Sequence, residues 1–439
     1  MNRPGWIDAP RASLASWGAW SELAAQARSD GLTRVVLCGM GGSSLAPAVL
    51  AASFARGALT VLDSTDPAAV LATDPGPERG RTLFVVSSKS GTTVETLAFY
   101  RYFAARADSR QFLAITDPGT PLEALARERH FRAVLPHPAD VGGRYAALTV
   151  VGMLPAALLG VDGCALLERA LAVDARAAQA FGAALARAAQ AGRDKLVLRP
   201  PATIGAVAGW VEQLVAESSG KDGRGVVPVV GDPDADARPD SCVVNQFSAD
   251  PLDLGAEFLK WEYATWELCV RLGVNAFDQP DVEEAKALAR AELAQPVRAT
   301  REPPATLTAA ALQRAAHRGD YLAILAYLPP FPDVARRLER VRSAWAAALG
   351  AATTLGFGPR YLHSTGQLHK GGPNTGLFLV ITTDDAADVD IPEMGITFGR
   401  LQRAQAMGDV RALLARGRRV AHVHLGRPDQ VEPLAHPVD

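Results

Sequence analysis

Short apolar runs alternate along this chain with longer stretches whose apolar residues recur at helical spacing. Val35-Val36-Leu37-Cys38 is the first run, and a glycine turn and a helix through Leu50 follow it. Leu59-Thr60-Val61-Leu62, residues 82–86 and Phe112-Leu113-Ala114-Ile115 repeat the theme. A helix is predicted over about 121–129, and Phe131-Arg132-Ala133-Val134-Leu135 returns to the sheet. Short apolar runs bounded by turn residues read as buried strands. Their alternation with helices predicts an α/β fold with a doubly wound parallel sheet. A helical lead-in over 12–30 precedes this unit, and long helices near 148–159 and 166–192 follow it.

The pattern then restarts. Lys195-Leu196-Val197-Leu198 reads as a strand, residues 204–219 as a helix, and 226–230 and 241–246 as strands. Helices are predicted over 254–272, 280–294, 331–348 and 397–415, and strands over 321–327, 352–356, 376–382 and 419–424. The Pro-, Arg- and Thr-rich stretch 296–306 reads as a loop or boundary. The expected division is a helical lead-in over 1–30, a first parallel-sheet domain over 31–165, and a second over 166–439 with a C-terminal extension. Ligands of such sheets sit at the carboxyl ends of the strands.

Composition narrows the field. The chain has 439 residues, enough for two or more domains, and its 48% hydrophobic and 21% charged residues are ordinary for a soluble globular protein. A net charge of −2 gives no strong field toward nucleic acid or membrane. No apolar stretch is long enough to span a bilayer, and Met1-Asn2-Arg3-Pro4-Gly5-Trp6 has no signal pattern. Cys38, Cys164, Cys242 and Cys269 lack metal-ligand spacing and read as buried reduced thiols. A cytoplasmic protein is the expectation. Lysine is scarce beside arginine and occurs only at 89, 195, 221, 260, 286 and 370. Lysines retained in such a sequence point to places that need a compact ammonium. Lys89, Lys221, Lys286 and Lys370 lie in segments notable on other grounds; Lys195 and Lys260 do not.

The richest segment is Ser88-Lys89-Ser90-Gly91-Thr92-Thr93, between a buried strand and a helix. A helix start offers unpaired N–H groups that suit an anion. One hydroxyl would suffice as an N-cap. Four hydroxyls with a lysine and a glycine exceed that need, and the guest they suit is a phosphate. Gly39-Met40-Gly41-Gly42-Ser43-Ser44 also follows a strand and opens a helix. It resembles a dinucleotide fingerprint, with Asp63 at the end of the next strand, but Ser44 stands where a third glycine is expected. Such a turn suits a sugar hydroxyl or phosphate equally, or no ligand at all.

Val141-Gly142-Gly143-Arg144-Tyr145 would bring a permanent charge to an anion, unless Arg144 is a surface residue in a turn. Gln213 and Glu217 share a helix face, and Glu217 stands near the helix C-terminus, where the dipole disfavours a carboxylate. That misplacement hints at function; the plain alternative is an exposed glutamate beside a glycine cap. Phe277-Asp278-Gln279-Pro280 turns into a helix carrying Lys286, by itself an ordinary surface lysine. Arg360 to Gly372 reads as a loop with His363 and His369, two of the chain's eight histidines. Acid–base work suits them better than metal ligation, because no third ligand is near in sequence.

Taken together and in this order, these motifs resemble the phosphoglucose isomerase family, built from two sugar-isomerase (SIS) domains. The resemblance covers residues 35–290, and with region 360–424 it is most similar to the isomerase half of bacterial transaldolase–phosphoglucose isomerase fusions. It implies reversible isomerisation of glucose 6-phosphate and fructose 6-phosphate through a cis-enediol, with no cofactor and no metal, in a homodimer. Gly42, Ser43, Ser88, Lys89, Ser90, Thr92, Thr93 and Gly143 would hold the sugar phosphate. Glu217 would move a proton between C2 and C1, and Arg144 would stabilise the enediolate. Gln213 would orient the chain, and Lys286 would assist at the ring oxygen. The common family form carries a Gly-Gln-His loop between its glutamate and lysine. This sequence has no histidine from 138 to 316. The similar loop Thr365-Gly366-Gln367-Leu368-His369 comes later. Ring opening is expected of His369 in preference to His363, because Lys370-Gly371-Gly372 follows His369 and its glycines would let a ligand approach.

Three other readings compete. A non-catalytic SIS module sensing a phosphosugar would need the hydroxyl loop but not Glu217, Arg144 and Lys286 together. A nucleotide-binding oxidoreductase would rest on the 39–44 turn and Asp63 and leave the hydroxyl loop unexplained. An isomerase of another phosphosugar, such as mannose 6-phosphate, would use the same residues.

Overall fold

The structure is a computed structural model that describes residues 5–54, 59–294 and 304–436; the side chains of residues 282, 283, 285 and 286 fall outside that description, as does the 296–303 part of the expected boundary. A helix over Ala9–Ser29 leads in. Five parallel strands follow: β1 (Arg34–Gly39), β2 (Leu59–Leu62), β3 (Thr82–Ser87), β4 (Phe112–Thr116) and β5 (Ala133–Pro136). Their order is β2-β1-β3-β4-β5. Every residue of β3 and β4 is buried, which is why these strands read as unbroken apolar runs.

The order fixes where a ligand can bind. From β1 the chain runs outward to β2, and from β3 it runs the other way to β4. The segments leaving these two neighbours therefore part, and a crevice opens at their carboxyl ends. The glycine turn after β1 and the hydroxyl loop after β3 border it.

The second half carries two further parallel sheets. One holds β6 (Lys195–Leu198), β7 (Val227–Val229) and β8 (Ser241–Val244) in the order β7-β6-β8. The other holds β9 (Tyr321–Tyr327), β10 (Ala352–Phe357), β11 (Gly376–Thr383) and, beyond the short antiparallel hairpin β12 (Asp390–Ile391) and β13 (Ile396–Thr397), β14 (Arg419–Leu425), in the order β10-β9-β11-β14. Thr353 on β10 donates its N–H and hydroxyl to Asp232 beyond β7, each at 3.0 Å, and so ties the two sheets.

Helix Phe398–Ala415 closes the fold against the first sheet. Phe398 is fully buried, and its ring stacks on Phe99 at 5.9 Å. Burial of one such side chain contributes about 1.5–3 kcal/mol. Two sequence expectations change. The predicted helix 166–192 is two helices, Gly163–Leu171 and Ala175–Gln190, because Asp174 caps the second with its carboxylate on Arg176 and Ala177 N–H. Cys164 and Cys242 are only half-buried, since each lies toward the solvent side of its element, whereas Cys38 and Cys269 are buried; all four are free thiols. Among the described residues no helix is long and apolar enough to cross a membrane.

Candidate active site

The hydroxyl loop is wired differently from a simple cap. Thr93 is the N-cap of helix Val94–Ala104, yet its side chain makes no capping bond. Its hydroxyl lies 2.9 Å from that of Ser88, and the Ser90 and Thr92 hydroxyls pair at the same distance. Gly91 has φ +66°, which a side chain would resist. Helix Gly42–Phe54 starts beside the loop, so two helix N-termini converge on the crevice. Gly42 is required there: a Cβ on it would stand 2.1 Å from Gly143 O.

Glu217 is buried near the end of helix Val207–Ser219. Its Oε1 lies 3.3 Å from Arg144 Nη2, and its Oε2 accepts from Gln213 Nε2 at 3.0 Å. Arg144 is buried too, not a surface residue of a turn. Its guanidinium donates to the carbonyls of Glu217, Ala276 and Asp278 and, at 2.5 Å, to Gln279 Oε1. Lys221 holds the same 275–279 segment by a 2.9 Å ion pair with Asp278. The Glu217 carboxylate and the Arg144 guanidinium are thus fixed against each other by buried backbone.

Residues 360–372 are not a plain loop. They form a 3-10 turn, Arg360–His363, and a short helix, Gly366–Gly371. A buried network anchors them: Lys370 pairs with Asp409 at 2.5 Å, and Tyr361 donates to the same carboxylate at 2.6 Å. Gln367 ties the segment to Gly220 O and Asp281. This places His363 beside the glycine turn, where its carbonyl accepts from Gln213 Nε2 at 2.7 Å. Its Nε2 lies 2.9 Å from Glu95 Oε1, and Glu95 also accepts from Gln405 at 2.7 Å. A carboxylate only accepts, so a proton sits on Nε2.

These groups surround one cleft of about 150 Å³, lined by Gly42, Ser43, Ser88, Lys89, Ser90, Thr93, Gly143, Arg144, Gln213, Glu217, Gln279 and His363, among others. A second cavity of about 200 Å³ adjoins it and shares Thr93 and His363.

Residues 16–182 match the model of the family described as phosphoglucose isomerase. Over these residues the chain is similar to that family. Curated relatives agree. A probable glucose-6-phosphate isomerase of Haloarcula marismortui is 35% identical over 44% of this chain and 48% of its own length. A glucose-6-phosphate isomerase of Rubrobacter xylanophilus is 32% identical over 51% of this chain and 59% of its own. The chain therefore spans about half the length of the curated relatives it matches. The fold is shared with a crystal structure of a glucose-6-phosphate isomerase from Chlamydia trachomatis, at TM-score 0.53 and 20% identity, covering 64% of this chain and 74% of that one.

Against the phosphoglucose isomerase resemblance, the positions of the expected residues divide. Thr92 lines the adjoining cavity, not the cleft. The side chain of Lys286 lies outside the described residues. His369 does not reach the cleft. It is 2% exposed, and its ring packs on Phe378 at 5.2 Å, with Tyr321 and Tyr361 also around it. Burial, together with Lys370 and Arg418, pushes its titration well below the usual histidine range. The placement is the opposite of the expected one: the short helix turns His369 into the core, and His363 lines the cleft. Asp63 pairs with Arg360 at 3.2 Å, where the nucleotide reading would have it on a ribose. Sequence reasoning missed Glu95 and Gln279. Glu95 follows the hydroxyl loop in the first helical turn, where an acid is ordinary, and its partner is 268 positions away.

Proposed function

We propose that the chain is a glucose-6-phosphate isomerase, interconverting glucose 6-phosphate and fructose 6-phosphate in the cytoplasm. The observation that carries this reading is one cleft with a hydroxyl loop at one wall and the Glu217–Arg144–Gln213 group at the other. The phosphate dianion would lie against Ser43, Ser88, Lys89, Ser90 and Thr93, near both helix N-termini. Thr92 and Gly143 would complete its surroundings.

Ring opening falls to His363. With Nε2–H held by Glu95, Nδ1 takes the proton of the anomeric hydroxyl while the Lys286 ammonium gives one to the ring oxygen as the C1–O5 bond breaks, and the proton on His363 returns to the lysine through solvent. Lys286 stays a proposed helper at that oxygen. In the open chain, Glu217 removes the C2 proton. The C–H electron pair becomes the C1–C2 double bond, and the aldehyde oxygen takes the negative charge. The Arg144 guanidinium stabilises that oxygen. Glu217 then returns its proton to C1, while the O2 proton moves to O1 and O2 becomes the ketone. This sequence needs neither an electron acceptor nor a Lewis acid. The sugar phosphate is the proposed partner, and a homodimer is proposed from the resemblance.

A coupled assay that follows glucose 6-phosphate formed from fructose 6-phosphate tests the reading directly. Turnover is the expected result. Tight phosphosugar binding without turnover would favour the sensing module, and preference for mannose 6-phosphate would favour the other isomerase.

A further inference from the structure

We propose that His137 is a positioning residue for phosphate binding that acts through Asp117 on Lys89; this rests on the reading of residues 88–93 as the phosphate loop. The three residues stand at the carboxyl ends of the neighbouring strands β3, β4 and β5. Lys89 comes two positions after β3, Asp117 directly after β4, and His137 directly after β5. Lys89 Nζ donates to Asp117 Oδ2 at 2.6 Å and to Ala139 O at 2.9 Å. The other carboxylate oxygen lies 2.8 Å from His137 Nδ1. Backbone bonds keep this row in register: Asp117 N–H donates to Lys89 O at 3.1 Å, and His137 N–H to Thr116 O at 2.8 Å.

Exposure falls along the row. The side chains of Lys89, Asp117 and His137 are 33%, 18% and 1% exposed. His137 is the buried end, and burial lowers its titration although Asp117 pulls the other way. The neutral ring must carry its proton on Nδ1, because Asp117 can only accept there. Its Nε2 is buried and has no partner among the described residues, and the same holds for Ser87 Oγ. Both residues, with Lys89, Gly42 and Ser43, line a cavity of about 10 Å³ under the glycine turn. The polar bonding of the ring is thus directed to Asp117.

The consequence concerns Lys89. An ammonium has three donors on a flexible stem. Two are fixed by Asp117 and Ala139, so the third has a set direction and can serve an anion in the loop. His137 holds the carboxylate that sets this direction and draws part of its charge, so that Asp117 orients Lys89 without fully neutralising it. The sugar plays no part, so the effect should extend to inorganic phosphate.

The test is calorimetric titration of the full chain with inorganic phosphate and with 5-phosphoarabinonate. Lys89→Gln should weaken both by roughly 10-fold or more, as expected for a lost charged hydrogen bond. His137→Phe should weaken both by about 3–10-fold, an ordinary coupling within one network. His137→Asn, whose amide N–H occupies the Nδ1 position, should recover binding to within about 2-fold. In the Lys89→Gln background, His137→Phe should have no further effect. An undiminished effect in that background overturns the proposal, and so does wild-type affinity in His137→Phe. Failure of the phosphate-loop reading looks different: Lys89→Gln itself would then bind phosphate normally. If His137→Phe does not fold, His137→Gln gives the same test, because its amide reaches the Nε2 position and leaves Asp117 without its donor.

Discussion

His363 Nε2 lies 2.9 Å from Glu95 Oε1, a bond between the 3-10 turn before helix Gly366–Gly371 and the helix that follows the hydroxyl loop. It joins the far end of the chain to the first sheet at the edge of the cleft. Gln405, on helix Phe398–Ala415, donates to the same carboxylate, so the carboxylate that faces the ring is itself held in place.

The first prediction follows from that bond. His363→Ala should lower turnover of the cyclic sugar by at least ~10²-fold, the usual lower range for a general base. Affinity for the open-chain 5-phosphoarabinonate should stay within about 3-fold, because ring opening is not part of its binding. His369→Phe, in contrast, should keep turnover, since that ring already lies among aromatic side chains. Loss of turnover in His369→Phe with normal turnover in His363→Ala would reverse the roles.

The hydroxyl pair Ser88–Thr93 gives a second prediction. These hydroxyls are bound to each other and not to the helix start. Ser88→Ala with Thr93→Ala should therefore raise KM far more than it lowers kcat, with little change in helix stability. Each lost bond to a dianion costs about 1.5–3 kcal/mol. An unchanged KM in the double variant would put the phosphate elsewhere.

How much of this was legible in the sequence depends on distance along the chain. The centre of the first sheet was readable because β3 and β4 are buried along their whole length and so appear as unbroken apolar runs. The hydroxyl loop and Glu217 were readable because each breaks a local rule, by surplus hydroxyls and by a carboxylate at the wrong end of a helix. Glu95 breaks none, since an acid in the first turn suits the helix dipole. Its role arises only when a residue 268 positions away folds onto it. His369 misled for a related reason. The glycines after it suggested ligand access, whereas Gly372 closes the short helix against Leu368 O at 2.8 Å. His137 offered no local signal, because its meaning lies in the neighbouring strand ends.

The third prediction concerns Glu217, the proposed base. Glu217→Gln keeps shape and can still bond Gln213, but it removes the proton acceptor facing Arg144. We expect kcat to fall by at least ~10²-fold. Solvent exchange of the C2 hydrogen, followed by NMR in deuterated buffer, should vanish with it. Exchange at the wild-type rate would remove Glu217 from the mechanism.

The last prediction is a pH dependence of stability set by Glu262, on helix Leu254–Leu272. The residue is fully buried, and neither carboxyl oxygen has a partner among the described residues. Burial alone raises its titration well above the usual 4.5. The sign follows from proton counting. Below that ordinary value, folded and unfolded chains both hold the proton, and Glu262 contributes no pH slope. Above it the unfolded chain loses the proton while the folded chain keeps it. Stability then falls as pH rises, by about 1.4 kcal/mol per pH unit, until the folded carboxyl also ionises. Glu262→Gln keeps the shape of the protonated acid and removes the titration. The variant should match the wild type at pH 4.5 and be clearly more stable at pH 8, with a higher urea midpoint and a melting temperature raised by several degrees. Urea melts at the two pH values measure this difference. A variant less stable than the wild type at pH 8 would mean that the carboxylate is ionised and held by a partner in the folded chain.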